Sequence, residues 1–183
     1  MQPMDGALIV IVSICAFTDV LFSRIYNWAT YGTIVLAFVA AAAGHGAHTL
    51  CATPVTLFDS LTGFLVGFAP FLLLYTVGGV GGGDVKLLAA IGAAKGPTFV
   101  AYTMLYSLFA GALAGLVVAG VRGELRPILR RVGYTILHSV TPGMGPTSHL
   151  DPKGPRISFG PAVLVGTLLC LLGQSVGRQL MDF

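Results

Sequence analysis

Charged residues are scarce in this chain. Of its 183 residues, only 9% are Asp, Glu, Lys or Arg, whereas 55% are hydrophobic. A soluble domain carries roughly 25% charged residues, so the composition excludes an ordinary soluble protein and favours a lipid bilayer. The net charge of +3 is small and comes largely from one loop. It therefore bears on orientation in a membrane and argues against a nucleic-acid partner.

Cysteine is also rare, with three in the chain, at Cys15, Cys51 and Cys170. They are far apart, and none belongs to a C-x-x-C pair of the kind found in zinc sites. We therefore expect no disulfide framework and no metal site, and we interpret Cys15 and Cys170 as small apolar residues within helices. His45 and His48 have no acidic or cysteine partner close in sequence, so we expect them to be solvated loop residues.

The chain also lacks the features of a cleavable secretory signal. Asp5 stands where such a signal would be basic, and no small-residue cleavage site follows the first apolar run. We therefore expect this run to remain in the protein as a helix.

Six apolar runs follow one another along the sequence. They predict helices over residues 7–22, 31–43, 58–77, 84–94, 99–121 and 159–176, with a polar turn over residues 23–27 after the first. Gly96-Pro97 is expected to end the fourth helix. A membrane-spanning helix needs roughly 20 residues, so there is room for about six. The predicted fold is therefore all-α, a polytopic bundle of about six transmembrane helices that forms one membrane-embedded domain over residues 1–183.

The longest hydrophilic stretch, residues 122–156, precedes the last helix. Within it, apolar residues fall at helical spacing opposite several arginines, which predicts a basic amphipathic helix on the membrane surface. Short loops rich in Lys and Arg stay on the cytoplasmic side, so this stretch should be cytoplasmic and both termini should face outward. Counting back through alternating helices places Asp19 and Asp84 at similar depth near the cytoplasmic face. Packing of the first and fourth helices is expected to hold them close.

Asp19 and Asp84 lie in or beside these apolar runs. A carboxylate there is costly and is usually kept for chemistry, ion movement or a buried pairing. Two neighbouring carboxyl groups do not both ionise easily, so one holds a proton while the other stays charged. The charged group can take a proton from water while the other supports the carbonyl under attack, as in aspartic proteolysis. Glycines before Asp84 would let a substrate backbone come close.

Three motifs resemble those of type IV prepilin peptidases, a family of membrane aspartyl proteases. Residues 81–84 read GGGD and match the family's G-x-G-D motif, which continues through Lys86. Asp19 is followed by RIYN at residues 24–27, which is similar to the family's first-aspartate segment with tyrosine in place of the usual proline. Residues 158–162, SFGPA, are similar to its aromatic-Gly-Pro-Ala signature at the start of the last helix.

The resemblance implies a short, peptidase-only member of the kind that serves Tad or Flp-type pili, because the cysteine-paired N-terminal region associated with N-methylation is missing. It implies removal of a prepilin leader peptide at the cytoplasmic face of the bacterial inner membrane, with Asp19 and Asp84 catalytic and no cofactor or metal. The partners would be the prepilin, with its basic leader and hydrophobic helix, membrane lipid, and pilus assembly or secretion machinery. Further motif residues expected to support the substrate loop are Arg24, Asn27, Gly81, Gly83, Lys86, Gly160 and Pro161.

Each functional interpretation has a plainer alternative. Asp84 also suits the N-cap of the fourth helix. Asp19 could pair with Arg24, although a separation of five residues misses the spacing that aligns helix neighbours. Asp59 is expected to cap the third helix. Lys86 is expected to point away from the dyad towards lipid headgroups, and a contact with substrate or anionic lipid stays open.

Two other function classes remain open. A proton-coupled transporter would use Asp19 and Asp84 as a relay, and a glycine-containing broken helix would suit it. No paired half-repeats are visible in the chain, however. A non-enzymatic assembly subunit would instead use the two acids to pair with partner helices.

Overall fold

The structure, a computed structural model, describes residues 3–22, 27–44, 54–76, 80–121, 123 and 159–181. Six α-helices account for most of these residues. They are α1 (Pro3–Phe22), α2 (Asn27–Ala42), α3 (Leu57–Thr76), α4 (Gly82–Lys95), α5 (Pro97–Val121) and α6 (Gly160–Met181). Each corresponds to one apolar run of the sequence, so the prediction of an all-α fold is confirmed over the described residues.

The helix ends differ from the predicted ones by a few residues. α1 already begins at Pro3, because proline is tolerated in the first turn of a helix. Asn27, predicted to lie in the turn 23–27, is instead the first residue of α2. The remainder of that turn and the basic amphipathic helix predicted within residues 122–156 lie outside the described residues, apart from Gly123.

Gly96 and Pro97 form the junction between α4 and α5. Gly96 has a φ of 85°, in the region that suits glycine, and its N–H donates to the carbonyl of Gly92 at 2.8 Å. Pro97 then becomes the first residue of α5, where its missing N–H leaves no helical bond unmade. The prediction that Gly96-Pro97 ends the fourth helix is confirmed.

Asp59 contributes to a reciprocal cap at the start of α3. Its Oδ2 accepts hydrogen bonds from the N–H of Thr56 at 3.1 Å and from the Thr56 hydroxyl at 2.7 Å. The Asp59 N–H donates in turn to Thr56 Oγ1 at 3.2 Å. This is a capping box with Thr56 in the N-cap position, so the predicted capping role of Asp59 is confirmed.

α4 is the innermost helix, with ten of its 14 residues buried. It packs mainly against α3 and α2, and more briefly against α1 and α6. α1 packs mainly along α6. Asp84 lies in the first turn of α4. Because neighbouring helices enclose this helix on most sides, the position of Asp84 is fixed by their packing.

Glycines allow α3 and α4 to touch backbone to backbone. A Cβ added at Gly63 would overlap the carbonyl of Gly92, and one added at Gly67 would lie 2.5 Å from the carbonyl oxygen of Leu88. Small residues let helices approach this closely where lipid supplies no hydrophobic drive for association. The contact runs antiparallel, since the earlier glycine of α3 meets the later residue of α4.

Two helices, α3 and α5, are long and apolar enough to cross a membrane, and α2 and Gly160–Ser175 are shorter apolar helices. Large apolar side chains such as Leu36, Leu65 and Leu73 are exposed. Exposed apolar surface of this extent is typical of a face that contacts lipid or a partner.

The chain divides into two compact units, one of residues 1–111 and 158–183 and the other of residues 112–157. The first unit contains α1 to α4, the first part of α5, and α6. In the second unit the structure describes the helical residues 112–121 and Gly123. The single domain expected from the sequence stays a prediction.

Substitution Gly63→Ala should lower the free energy of unfolding by about 1–3 kcal/mol, because the new methyl group forces α3 and α4 apart. Thermal unfolding of the protein in detergent micelles measures this. Gly32→Ala on α2 is the matched control, since a Cβ there meets nothing within 4 Å. Equal unfolding temperatures for the two variants would contradict the backbone contact.

Candidate active site

Asp84 is the third residue of α4 and its side chain is buried, with 6% of the residue exposed. Its Oδ1 has no hydrogen-bond partner among the described residues. A buried polar atom without a partner is rare and costly in folded proteins. Such an atom is well suited to bond with a water molecule or with a substrate that enters the site.

The alternative in which Asp84 serves as the N-cap of α4 is wrong. Gly81 occupies that position, with φ −74° and ψ 145°, and no side chain caps the helix. A Cβ at Gly81 would lie 3.1 Å from Asp84 Oδ2, so glycine keeps the space beside the carboxyl group open. Asp84 nevertheless lies in the first turn of α4, where the helix dipole favours negative charge.

Asp19 lies near the end of α1 and is half-buried. Its Oδ2 accepts a hydrogen bond from the backbone N–H of Gly160 at 3.0 Å. Gly160 is the first residue of α6, so this N–H has no partner within the helix. Hydrogen-bond donors at a helix N-terminus stabilise a carboxylate, and Asp19 is therefore held by α6.

The close approach of α1 and α6 requires glycine at position 160. A Cβ there would lie 2.8 Å from Asp19 Oδ2, 3.0 Å from Asp19 Cβ and 3.3 Å from the Cα of Ala16. The sequence predicted Gly160 as a motif residue but did not indicate which residue it contacts. In the structure its N–H donates to Asp19. Pro161 follows as the second residue of α6.

The structure brings Asp19 and Asp84 into one site, close enough for their carboxyl groups to interact electrostatically. The site lies where α1 ends and α4 and α6 begin. The expectation that packing between α1 and α4 holds the two acids together needs correction. Since α1 packs mainly along α6 and only briefly against α4, α6 positions Asp19 while α3 and α2 position Asp84.

Lys86 and Asn27 form a second pair of sequence-predicted residues. Lys86 Nζ donates a hydrogen bond to Asn27 Oδ1 at 2.9 Å and lies 5.1 Å from the centre of the Tyr31 ring. The lysine expected to reach lipid headgroups therefore has protein partners. Ammonium groups over aromatic faces are attracted by the ring, so the contact joins the start of α2 to α4 at a point two residues beyond Asp84.

The glycine segment before Asp84 is described from residue 81 onward. Gly81 is exposed, whereas Gly82 and Gly83 are half-buried. A Cβ at Gly82 would lie 3.4 Å from the ring of Tyr75. Arg24, the remaining predicted motif residue, lies outside the described residues.

Sequence reasoning missed a buried polar cluster at the far end of α4. Lys95 forms an ion pair with Asp5 of α1, and Lys95 Nζ lies 3.4 Å from Gln174 Oε1 of α6. The available signal was the spacing of Asp5 and Asp19, which places both acids on one face of a helix.

The cysteine and histidine predictions have mixed outcomes. Cys15 and Cys170 are buried free thiols within helices, as predicted. Among the described residues, no three His, Cys, Asp or Glu side chains group in a way that could hold a metal ion. His45, His48 and Cys51 lie outside that part of the chain, so the absence of a metal site stays an expectation.

A family model described as the type IV leader peptidase family matches residues 6–116, which include Asp19 and Asp84. The chain belongs to this family. The match ends before α6, so the pairing of Gly160 with Asp19 comes from the structure alone. No curated protein and no solved structure matches the chain. Membership makes the protein a type IV leader peptidase-like protease, and its two long apolar helices indicate a membrane protein.

Substitution Gly160→Ala should reduce peptidase activity by at least about tenfold, because the added methyl group pushes the Asp19 carboxyl group out of place. Initial rates of peptide-bond cleavage measure the effect. Gly173→Ala on the same helix is the matched control, since a Cβ there meets nothing within 4 Å. Similar rates for both variants would contradict the positioning of Asp19 by α6.

Proposed function

We propose that this protein is a membrane aspartyl endopeptidase that removes the leader peptide from prepilins, with Asp19 and Asp84 as its catalytic dyad. The observation that carries the proposal is the electrostatic interaction between these two carboxyl groups in a chain that belongs to a leader peptidase family. They come from α1 and α4, 65 residues apart in sequence. Folding therefore creates the pair that aspartic proteolysis requires.

The surroundings of the two acids suggest different roles. Asp19 accepts a hydrogen bond from the start of α6, which holds its carboxyl group in place and suits it to take a proton from water. Asp84 is more buried and its Oδ1 has no partner among the described residues, which suits it to hold a proton and bond to the substrate carbonyl. The environments thus differ in the way an acid and a base require.

Hydrolysis then proceeds in two steps. The water oxygen bonds to the carbonyl carbon as Asp19 takes a water proton, and Asp84 passes its proton to the carbonyl oxygen. In the second step the C–N bond breaks, the leaving nitrogen takes the proton from Asp19, and Asp84 recovers a proton from the collapsing diol. The enzyme returns to its starting state with no metal and no covalent intermediate.

The family and the segment before Asp84 both support the proposed substrate class. Gly81, Gly82 and Gly83 carry no side chain beside the dyad, so an extended peptide backbone can come close. A prepilin offers such a backbone at its cleavage site, between a basic leader and a hydrophobic helix. The exposed apolar surface of the helices suits delivery of that hydrophobic helix through the lipid.

We place the protein in the bacterial inner membrane with about six crossings and the dyad near the cytoplasmic face. The support is the charge bias of residues 122–156 together with the six apolar runs of the sequence. In this arrangement the substrate leader reaches the site from the cytoplasm. Lipid and the pilus assembly or secretion machinery are the further partners.

Asp19→Asn and Asp84→Asn should each reduce leader removal by about 10²- to 10⁴-fold, because each takes away one half of the acid and base pair with little change in volume. The assay uses purified protein in lipid vesicles with a prepilin-like substrate that has a basic leader, a glycine at the cut and a hydrophobic helix. Cleavage is followed by the mass of the products.

Asp59→Asn is the matched control, because Asp59 is also an acid in the first turn of a helix but bonds only locally to Thr56 in the contacts described above. It should cleave at close to the wild-type rate. Wild-type rates in either dyad variant would contradict the proposed mechanism. A folded wild type that leaves a matched substrate intact would contradict the peptidase function, and proton flux and binding to partner helices would then test the transporter and assembly alternatives.

A further inference from the structure

The polar cluster at the far end of α4 consists of Asp5 on α1, Lys95 on α4 and Gln174 on α6. The Lys95 ammonium forms an ion pair with Asp5 and lies 3.4 Å from Gln174 Oε1. It also lies 5.3 Å from the centre of the Phe99 ring. Lys95 is fully buried, and Asp5 and Gln174 are each 5% exposed. We call these residues the Asp5–Lys95–Gln174 cluster.

Each of these three helices also carries one residue of the candidate active site. The pairs are Asp5 and Asp19 on α1, Asp84 and Lys95 on α4, and Gly160 and Gln174 on α6. The spacing is fourteen residues on α1 and α6, or about four helical turns, and eleven on α4, or about three. Each helix therefore presents both of its residues on one face, and the bundle contains two polar layers roughly 16 Å apart along α4.

Stability alone does not account for a buried ion pair at this position. Removing two charges from water is costly, and replacing such a pair by apolar side chains of similar volume is often neutral or stabilising. The best-attested use of a buried polar contact between helices is to specify their register. In membrane proteins an ionisable residue inside the bundle is in any case expected to have a function.

The packing of α1 leaves a need for such a contact. α1 packs mainly along α6 and touches α4 only briefly. Apolar packing alone therefore constrains the axial position of α1 along α4 only weakly. The Asp5–Lys95 ion pair is strongest at one axial position of α1 relative to α4. A slip of α1 by one residue, about 1.5 Å, would separate Lys95 from Asp5 and at the same time shift Asp19 relative to Asp84.

We propose that the Asp5–Lys95–Gln174 cluster is a positioning element of the peptidase. Its ion pair sets the axial register of α1 against α4, and that register brings Asp19 and Asp84 together at the other end of the helices. The inference rests on the proposed function, in which these two acids are the dyad. The cluster residues touch no reacting atom in this account and act through the helices that carry them.

The double substitution Asp5→Leu with Lys95→Met separates positioning from stability. It replaces the charges by apolar side chains of similar size, so the protein should stay folded with an unchanged or higher unfolding temperature. Its kcat should fall by about 100-fold, the cost of displacing a catalytic group by roughly 1 Å, while KM changes little. Reversal of the pair, Asp5→Lys with Lys95→Asp, should recover most of the lost kcat.

Thr167→Val is the matched control on α6. Thr167 is fully buried and its hydroxyl donates to Val163 of its own helix at 2.7 Å, so this substitution also makes a buried position apolar without touching the ion pair. Its kcat should match that of the wild type. Vesicles, substrate and detection are the same for all variants.

The same assay includes wild type, Asp19→Asn and Asp84→Asn. These three proteins test the proposed peptidase function separately from the register proposal. Cleavage by wild type and not by either Asn variant would support Asp19 and Asp84 as the dyad. With that result, an unchanged kcat in Asp5→Leu/Lys95→Met would overturn the register proposal alone. Loss of folded protein in that variant, or a kcat that charge reversal does not recover, would mean that the Asp5–Lys95 ion pair does not set the register. Either result would also overturn the register proposal. Wild-type cleavage by the Asn variants would instead overturn the proposed function.

Discussion

Backbone contact between α3 and α4 fixes the position of the buried helix that carries Asp84. Because Gly63 and Gly67 carry no side chains, α4 lies directly against α3 and is enclosed on most of its surface. Enclosure fixes both ends of α4 in the bundle. Asp84 is thereby held at one end of a buried helix and Lys95 at the other, where Asp5 of α1 and Gln174 of α6 contact it.

Three helix ends meet at the candidate active site, and their electrostatics are complementary to the chemistry proposed there. α4 and α6 begin at the site and so direct free backbone N–H groups towards it, which favours negative charge. α1 ends there and supplies Asp19, whose carboxyl group accepts one of these N–H donors. The neighbouring Asp84 is buried and lacks such a bond at Oδ1. Two chemically identical side chains thus acquire different environments from the arrangement of the helices.

The helices and the two candidate catalytic acids could be predicted from the sequence, because long apolar runs, helix-ending Gly and Pro residues and short motifs are local signals. The Gly96-Pro97 junction ends α4 where expected, and the Asp19 and Asp84 motifs indicated the family that the family match confirms. The pairing of Lys95 with Asp5 could not be predicted, since the residues are 90 positions apart and each alone resembles an ordinary residue near a helix end. The partner of Lys86 was missed for the same reason, because Asn27 approaches it only after α2 packs on α4.

In the proposed mechanism Asp19 and Asp84 act together on one peptide bond, and the binding of a transition-state analogue measures this joint action. The probe is a prepilin-like peptide in which a secondary alcohol replaces the scissile carbonyl, and its Kd is measured by calorimetry with protein in detergent. Wild type should bind it at least about 100-fold more tightly than the uncleavable parent peptide, and Asp19→Asn and Asp84→Asn should each lose this gain. Equal gains in wild type and in either variant would contradict the dyad.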